Sequence, residues 1–145
     1  MSSFGASLEL AFDASVLYGP ENATPRSGAV GYVVVQGATR QFECSRSVDA
    51  FVSNTALEYR ALADAVAAVD RAFDRVASLH VRGDADAVLR AVDPTTVVTP
   101  SGRVERRRVA RIRERLADIP QVTYRSVPSP HNERAHALAR RGHER

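Results

Sequence analysis

Three carboxylates occupy positions from which they could act together in hydrolysis. Asp13 lies in a strand-like segment, Glu58 in the first turn of a long helical segment, and Asp84 at the C-terminal end of a later strand-like segment. Glu58 precedes Leu62 by four residues, so it lies on the helix face that would pack against a sheet. If the strands of Asp13 and Asp84 are neighbours, as β-α-β connections favour, the three acids converge at one edge of the core.

A cluster of three carboxylates is typical of a metal site. Such a cluster is costly unless a divalent cation neutralises it, and oxygen-only ligands favour Mg²⁺ or Mn²⁺. Two such ions about 4 Å apart can activate a water molecule and stabilise a leaving oxygen in phosphodiester cleavage. The residue types therefore indicate a divalent-cation site whose chemistry could include phosphodiester cleavage.

Each acid also has a simpler interpretation. Glu58 could compensate the helix dipole, Asp84 could be the N-cap of a short helix, and Asp13 could face solvent from its strand. Acids near helix starts are common, so each alternative is the better interpretation of its residue taken alone. Only the conjunction of all three acids in one topology favours a metal site.

The hydrophobic periodicity predicts the elements that must position these acids. A meander of three strands with short connections precedes alternating helices and strands, which indicates an α/β fold with a mixed sheet and helices packed on it. Ser53 is placed as the N-cap of the longest helix. Strands are predicted at residues 8–16, 28–37, 39–48, 76–84 and 121–129, helices at 54–73, 85–93, 103–118 and 132–141, and a loop or short extended piece at 94–102.

The composition is that of one ordinary globular domain spanning residues 1–145. Of these residues, 44% are hydrophobic and 26% charged. The single Cys44 suits a reducing compartment, and neither a signal peptide nor a membrane-spanning run is found, so a cytoplasmic location without membrane contact is expected. All 20 basic residues are arginine, which fits a GC-rich genome and also suits phosphate recognition.

Four segments resemble, in order, the signature segments of the type 1 ribonuclease H family. They are "LELAFDAS", "SNTALEYRAL", "LHVRGDADAVL" and "HNERAHALA". The resemblance covers nearly the whole chain. It implies a ribonuclease H-like fold, with five strands in the order 3-2-1-4-5 and helices on both faces. It also implies hydrolysis of the RNA strand of RNA/DNA hybrids with two metal ions, leaving 3′-hydroxyl and 5′-phosphate ends.

The resemblance assigns roles to individual residues. Asp13 corresponds to the acid that bridges both metal ions, and Glu58 and Asp84 to the second and third acids. Asp86 is a rival to Asp84, which is preferred because it directly follows Gly83 at the strand end. The polar segment before Glu58 would contact the minor groove of the hybrid, where 2′-hydroxyls are exposed. That segment consists of Ser53, Asn54 and Thr55.

Three positions depart from the family pattern. Ala14 replaces the usual glycine after the first aspartate, and Ser126 stands where many members carry a loop histidine. His131 could substitute for that histidine, although a solvent-facing residue at a helix start is the simpler interpretation. The third departure is His136, which stands where the family has its fourth acid.

The segment around His136 otherwise fits the family. Asn132 and Glu133 match upstream, and Asn132 is counted among the expected nucleic-acid-binding residues. Neutral imidazole suits Mn²⁺ better than Mg²⁺, so His136 as a fourth metal ligand or general base would favour Mn²⁺. The alternative is that His136 marks a weakened or lost site.

One predicted helix is strongly basic. Val109, Ile112 and Leu116 mark its buried stripe, and its arginines spread over the remaining circumference. They form either a solvated face or a surface that binds the phosphates of a hybrid without sequence specificity. The residues expected to bind nucleic acid there are Arg107, Arg108 and Arg111.

Three functions remain open from the sequence. The first is a monomeric hybrid-cleaving endoribonuclease that needs Mg²⁺ or Mn²⁺ and no protein partner. The second is a weak or inactive nucleic-acid-binding module of the same fold. The third is a nuclease of this fold acting on another substrate, such as DNA or structured RNA.

Overall fold

The computed structural model describes residues 5–18, 25–49, 53–96, 100 and 102–144. Short 3₁₀ turns occupy Ser129–His131 and Gly142–Glu144. The strands and helices, in chain order, are β1 (Ala6–Tyr18), β2 (Pro25–Gln36), β3 (Thr39–Val48), α1 (Asn54–Ala72), β4 (Val76–Gly83), α2 (Asp86–Val92), α3 (Arg103–Leu116), β5 (Gln121–Ser126) and α4 (Glu133–Arg141).

The strands form one mixed sheet in the order β3-β2-β1-β4-β5. β2 pairs antiparallel with both β1 and β3, whereas β4 runs parallel to both β1 and β5. The predicted five-stranded sheet with antiparallel strands followed by parallel strands is confirmed, including the adjacency of β1 and β4.

The two faces of the sheet are covered by different helices. Side chains of β1 alternate between the faces because successive residues of a strand point in opposite directions. Leu10 and Phe12 enter the main core, whereas Ala11 joins a smaller cluster with Ala135 and Leu138 of α4. The helices α1, α2 and α3 contribute to the main core, so helices lie on both faces, as predicted.

α1 begins where the sequence predicts. Ser53 is extended, and its hydroxyl accepts a hydrogen bond from the backbone N–H of Ala56 at 3.0 Å, which satisfies one of the free donors of the first turn. Glu58 lies one residue beyond the first turn rather than within it, and it is buried against the sheet with Leu62. The predicted end at Phe73 is one residue too long, because Phe73 is the extended C-cap.

α4 lies unusually close to the sheet at Gly31. A Cβ built on Gly31 would lie 2.3 Å from the backbone nitrogen of Ala139 and 2.8 Å from the carbonyl oxygen of Ala135. Only glycine permits this approach of backbone to backbone. Because Gly31 pairs with Asp13 across the β1–β2 ladder, the close contact holds α4 directly over the residue that carries the first acid.

β1 and β2 are longer than the hydrophobic alternation predicts. Their antiparallel ladder runs from the pair Glu9–Val35 to the pair Tyr18–Pro25, so backbone pairing extends past the apolar segment. The predicted turn at residues 37–38 is present, with Gly37 at φ 61°. Part of the predicted loop or extended piece, residues 97–99 and 101, lies outside the described residues. Among the described helices, none combines the length and the apolar character needed to span a membrane.

Candidate active site

Asp13 and Asp84 lie where the pairing of β1 with β4 ends. β1 pairs with β4 only as far as Ala11 opposite Arg82, and β4 ends at Gly83. Asp13 therefore lies just past the end of the parallel ladder, and Asp84 follows directly after β4. Both backbones are fixed by the sheet up to that point, so the acids are held by rigid structure beside an open cleft.

The structure brings Asp13, Glu58 and Asp84 together. Each offers a carboxylate oxygen, and these oxygens all lie within 4.8 Å of one another. Asp13 is 3% exposed and Glu58 7%, whereas Asp84 is half-buried. The alternative interpretation of Asp13 as a solvent-facing residue is therefore wrong. Asp84 is also not the N-cap of α2, because that position is Ala85.

The electrostatics of the cluster follow from its burial. Burial, reinforced by the charges of Asp13 and Asp84, raises the pKa of Glu58 from 4.5 to about 9. Burial also raises the pKa of Asp13; the hydrogen bond from His136 opposes this change, and the charge of Asp84 adds to it. Without a cation, the buried carboxyl groups therefore tend to retain protons.

The residues of the cluster fit a divalent cation. Glu58 Oε1 is buried and has no hydrogen-bond partner, so it has the geometry of an unused ligand. Three carboxylates supply only oxygen ligands, which is the donor set that Mg²⁺ and Mn²⁺ prefer. The cluster opens into a cleft of about 420 Å³ that is also lined by Asn54, Thr55 and His136.

His136 contacts one acid of the cluster, Asp13, but is not itself part of the cluster. Its Nδ1 lies 2.8 Å from Oδ2 of Asp13, and its side chain is 46% exposed. With Asp13 ionised, Nδ1 carries the proton and donates it in this hydrogen bond. His136 is outside the group of ligand atoms within 4.8 Å of one another, so its role as a fourth metal ligand stays a prediction.

Asn132 is not where a nucleic acid could contact it. Its side chain is 2% exposed, and Nδ2 donates to the carbonyl oxygen of Phe12 at 2.9 Å. The expectation that Asn132 binds nucleic acid therefore requires correction. Nδ2 of Asn132 ties the start of α4 to β1 one residue before Asp13, whereas its Oδ1 is buried without a described hydrogen-bond partner.

The polar segment at the start of α1 divides into two parts. Asn54 and Thr55 are exposed and line the cleft beside Glu58. The Ser53 hydroxyl accepts the capping hydrogen bond, so one function of this residue is to start the helix. Asp86, the rival third acid, also lines the cleft, but it is exposed, pairs with Arg90 at 3.6 Å and lies outside the acid cluster.

The histidine and arginines predicted farther along the chain lie elsewhere. His131 is exposed and lines a separate pocket beside Asn132 rather than the cleft. Arg107, Arg108 and Arg111 line a groove between α1 and α3. The cleft and the groove use residues on roughly opposite sides of α1, since a helix has 3.6 residues per turn. The structure therefore does not bring these arginines together with the acids.

Two residues that shape the site were not singled out in the sequence. Gly31 is an isolated glycine in a β-rich run, a pattern that indicates close backbone approach, and this signal could have identified it. Ser129 lines the cleft from the turn before α4, and no sequence pattern marks it.

Known structures share this architecture over nearly the whole chain. Ribonuclease H1 from the halophilic archaeon Halobacterium salinarum is 28% identical, with 94% of this chain and 96% of that chain covered and a TM-score of 0.77. LC11-RNase H1, isolated from compost by a metagenomic approach, is 18% identical, with 96% of each chain covered and a TM-score of 0.79. In its complex with an RNA/DNA hybrid the same protein is 19% identical, with 95% and 97% covered and a TM-score of 0.72.

Comparisons of sequence alone give no such match. No family model matches the chain, and no curated protein sequence matches it significantly. The agreement with solved structures, together with the strand order, identifies the architecture. The chain has a type 1 ribonuclease H-like fold.

Proposed function

We propose that this protein is a metal-dependent endoribonuclease that hydrolyses the RNA strand of RNA/DNA hybrids, leaving 3′-hydroxyl and 5′-phosphate ends. The observation that carries this proposal is the convergence of Asp13, Glu58 and Asp84 within 4.8 Å. It is supported by the fold, since the structures that share it include ribonucleases H1, one of them in a complex with an RNA/DNA hybrid.

The three acids would hold the cations. Asp13 lies on β1, the central strand of the sheet, and would be one of the ligands. Glu58 would offer the oxygen that has no partner in the protein, and Asp84 the oxygen nearest solvent. When bound, divalent cations lower the pKa of a coordinated water and stabilise developing charge on the leaving oxygen.

His136 would position Asp13 and handle a proton. Its Nδ1–H···Oδ2 hydrogen bond fixes which oxygen of Asp13 faces the other acids. Nε2 is then the nitrogen that can accept a proton or ligate a cation. Nearly half of the His136 side chain is exposed, so this nitrogen remains accessible from the cleft.

Asn54 and Thr55 would contact the substrate. Both are exposed at the start of α1 and line the same cleft as the acids. Short amide and hydroxyl side chains can hydrogen-bond the 2′-hydroxyls along the shallow minor groove of an A-like duplex. This contact would favour a strand with 2′-hydroxyls at the cleavage position.

A cleavage assay tests the proposal directly. Purified protein is incubated with matched RNA/DNA, RNA/RNA and DNA/DNA duplexes, in parallel with Mg²⁺, with Mn²⁺ and with EDTA. We expect metal-dependent cleavage of the RNA strand of the hybrid only, and loss of that cleavage in Asp13→Asn with hybrid binding retained. Cleavage of DNA/DNA would contradict the substrate class, and the absence of metal-dependent cleavage with either ion would contradict the activity.

The setting of the activity is part of the proposal. We infer that residues 1–145 form a single domain that acts as a monomer in the cytoplasm. This is supported by the packing of α4, near the end of the chain, on β1 and β2, and by the free, half-buried thiol of Cys44, which suits a reducing compartment.

A further inference from the structure

A groove larger than the acidic cleft lies between α1 and α3, away from the sheet, and most of its charged side chains are basic. Its volume is about 690 Å³, against about 420 Å³ for the acidic cleft. Four arginines line it, together with Arg115, the acids Asp64 and Glu114, and small side chains such as Ala63 and Ala67. We call this surface the arginine groove; its four arginines are Arg60, Arg107, Arg108 and Arg111.

These four arginines outnumber the two acids that also line the groove, Asp64 and Glu114. None of them has an ion pair or side-chain hydrogen bond with a described residue, and Nε of Arg108 is buried without an acceptor. Burial lowers the pKa of Arg108, the positive charge of Arg60 lowers it further, and the negative charge of Asp64 opposes this change. The nearby Asp64 is already paired with Arg46. The groove therefore carries more positive than negative charge, and its positive charge is only partly compensated.

The spacing of the arginines suits a chain of phosphates better than a single anion. Arg107, Arg111 and Arg115 follow one another at intervals of four residues, so they form a row along α3 with steps of about 6 Å. Arg115 is paired with Asp70 at 3.1 Å, which leaves the first two free for a ligand. Each guanidinium presents a planar fork of donors that matches the oxygens of a phosphate.

The other arginines of α3 serve the protein itself. Arg113 donates to the carbonyl oxygens of Ala91 and Val92 at the end of α2, at 2.7 and 3.1 Å. Arg106 reaches the carbonyl oxygen of Pro100 at 3.4 Å. Since 100° separates successive residues, these two lie on a different side of α3 from Arg107 and Arg111. The basic helix therefore has one face that holds its neighbours and another on which Arg107 and Arg111 have no partner among the described residues.

We propose that the arginine groove is a second phosphate-binding site, which takes the sugar–phosphate backbone of a nucleic-acid strand outside the catalytic cleft. The choice of nucleic acid as the source of the phosphates rests on the proposed function. The cleft and the groove lie on roughly opposite sides of α1, so the groove adds a contact with a flanking or second nucleic-acid segment rather than completing the cleft.

Binding without metal tests this site separately from cleavage. Fluorescence anisotropy in EDTA gives the affinity for labelled single-stranded DNA and for an RNA/DNA hybrid as a function of salt. The test variant is the double substitution Arg107→Gln/Arg111→Gln. The matched control is Arg103→Gln/Arg125→Gln, which removes the same charge from two exposed residues outside the groove. Thermal melting of all variants confirms that they fold.

We expect the salt dependence of nucleic-acid binding to change only in the variant that lacks Arg107 and Arg111. Two lost phosphate contacts reduce the slope of log affinity against log salt by about 1.4 for a single strand and about 1.8 for a duplex. The control variant keeps the wild-type slope, and Arg107→Lys/Arg111→Lys retains it because the charge remains. Equal changes in test and control variants, or an unchanged slope in the test variant, would overturn the inference.

Failure of this site and failure of the proposed function give different results. Hybrid cleavage by the wild type, together with an unchanged slope in the test variant, would refute phosphate binding in the groove and support the proposed nuclease activity. A changed slope in a protein that cleaves nothing would leave the groove as a nucleic-acid-binding site and remove the nuclease.

Discussion

An acidic cleft and a mostly basic groove lie on opposite sides of α1, and their charged side chains differ in burial. The acidic cleft gathers three carboxylates from β1, α1 and the end of β4, and two of them are almost fully buried. The arginine groove gathers its charges from two helix surfaces, and Arg107 and Arg111 are exposed. Water screens exposed like charges at little cost, whereas buried ones must be neutralised by protons or by a bound cation.

The difference predicts different functions for the two regions. Buried acids on sheet-anchored positions have fixed geometry, which is what chemistry at a phosphorus atom requires. Long arginine side chains on a helix surface adapt to their ligand and contribute affinity without fixed geometry. Five measurements can test this difference between fixed geometry in the cleft and adaptable binding in the groove, in order of decreasing expected effect.

Removing the charge of Asp84 should stop catalysis, whereas removing the charge of the nearby Asp86 should not. In Asp84→Asn we expect hybrid cleavage to fall by more than about a hundredfold, because a lost ligand removes several kcal/mol of charge stabilisation. Asp86→Asn is the matched control, since Asp86 is exposed, pairs with Arg90 and lies outside the cluster. Initial rates under saturating metal measure both. A larger loss in Asp86→Asn would reassign the third acid.

The burial of Glu58 should make the metal-free protein less stable as pH rises. Between 4.5 and about 9 the folded protein holds a proton on Glu58 that the unfolded chain releases, so the free energy of unfolding decreases across this range. Urea unfolding in EDTA from pH 5 to pH 9 measures the decrease. We expect a shallower decrease in Glu58→Gln, and partial reversal in the wild type when Mn²⁺ is added. An identical pH dependence in Glu58→Gln would show that Glu58 is ionised throughout.

The contact of α4 with the sheet should be sensitive to a single methyl group. In Gly31→Ala the new Cβ meets the backbone of α4 at 2.3 Å, so we expect a loss of stability of about 1–3 kcal/mol and displacement of His136 from Asp13. Gly102→Ala is the control, since its φ is −84° and its nearest neighbour would lie at 3.6 Å. Chemical denaturation compares the two variants. Equal stability of both would mean that α4 shifts without cost and does not hold the cleft.

The acidic cleft was largely predictable from sequence because its residues sit at element ends. A strand centre, the start of a helix and a strand end have fixed places once the sheet order is known, so Asp13, Glu58 and Asp84 could be brought together in advance. The alternation of hydrophobic residues and the short connections indicate a mixed sheet, and the resemblance to the ribonuclease H family implies the strand order that the structure has.

Side-chain direction within the site was not predictable in the same way. Asn132 has a polar side chain in a matching segment, but whether it faces a ligand or the core depends on how the turn at Ser129–His131 enters α4. The arginines of α3 have the same ambiguity. The buried stripe of Val109, Ile112 and Leu116 fixes which side faces inward, but the packing partners of the other sides are known only from the fold.

His136 should set the metal preference of the cleft. An imidazole near the cluster favours Mn²⁺, so we expect greater activity with Mn²⁺ than with Mg²⁺, and a shift of about tenfold towards Mg²⁺ in His136→Asp. His136→Ala is expected to lower activity with both ions because Asp13 loses its hydrogen-bond donor. Full titrations of both metals measure the ratio. Wild-type activity with Mg²⁺ that equals or exceeds activity with Mn²⁺ would remove the support for a ligand role.

Substitutions on the two faces of α3 should have different effects, one on stability and the other on nucleic-acid binding. Arg113→Met leaves the carbonyl oxygens of Ala91 and Val92 without their charged donor, so we expect a loss of about 1 kcal/mol in the free energy of unfolding. Arg107→Met removes an exposed arginine without a described partner, so stability should stay within about 0.5 kcal/mol while affinity for nucleic acid decreases. Urea unfolding and anisotropy on the same two variants measure both effects. Loss of stability in Arg107→Met as large as in Arg113→Met would mean that the arginine groove is part of the folded framework, and its charge would then need no external ligand to explain it.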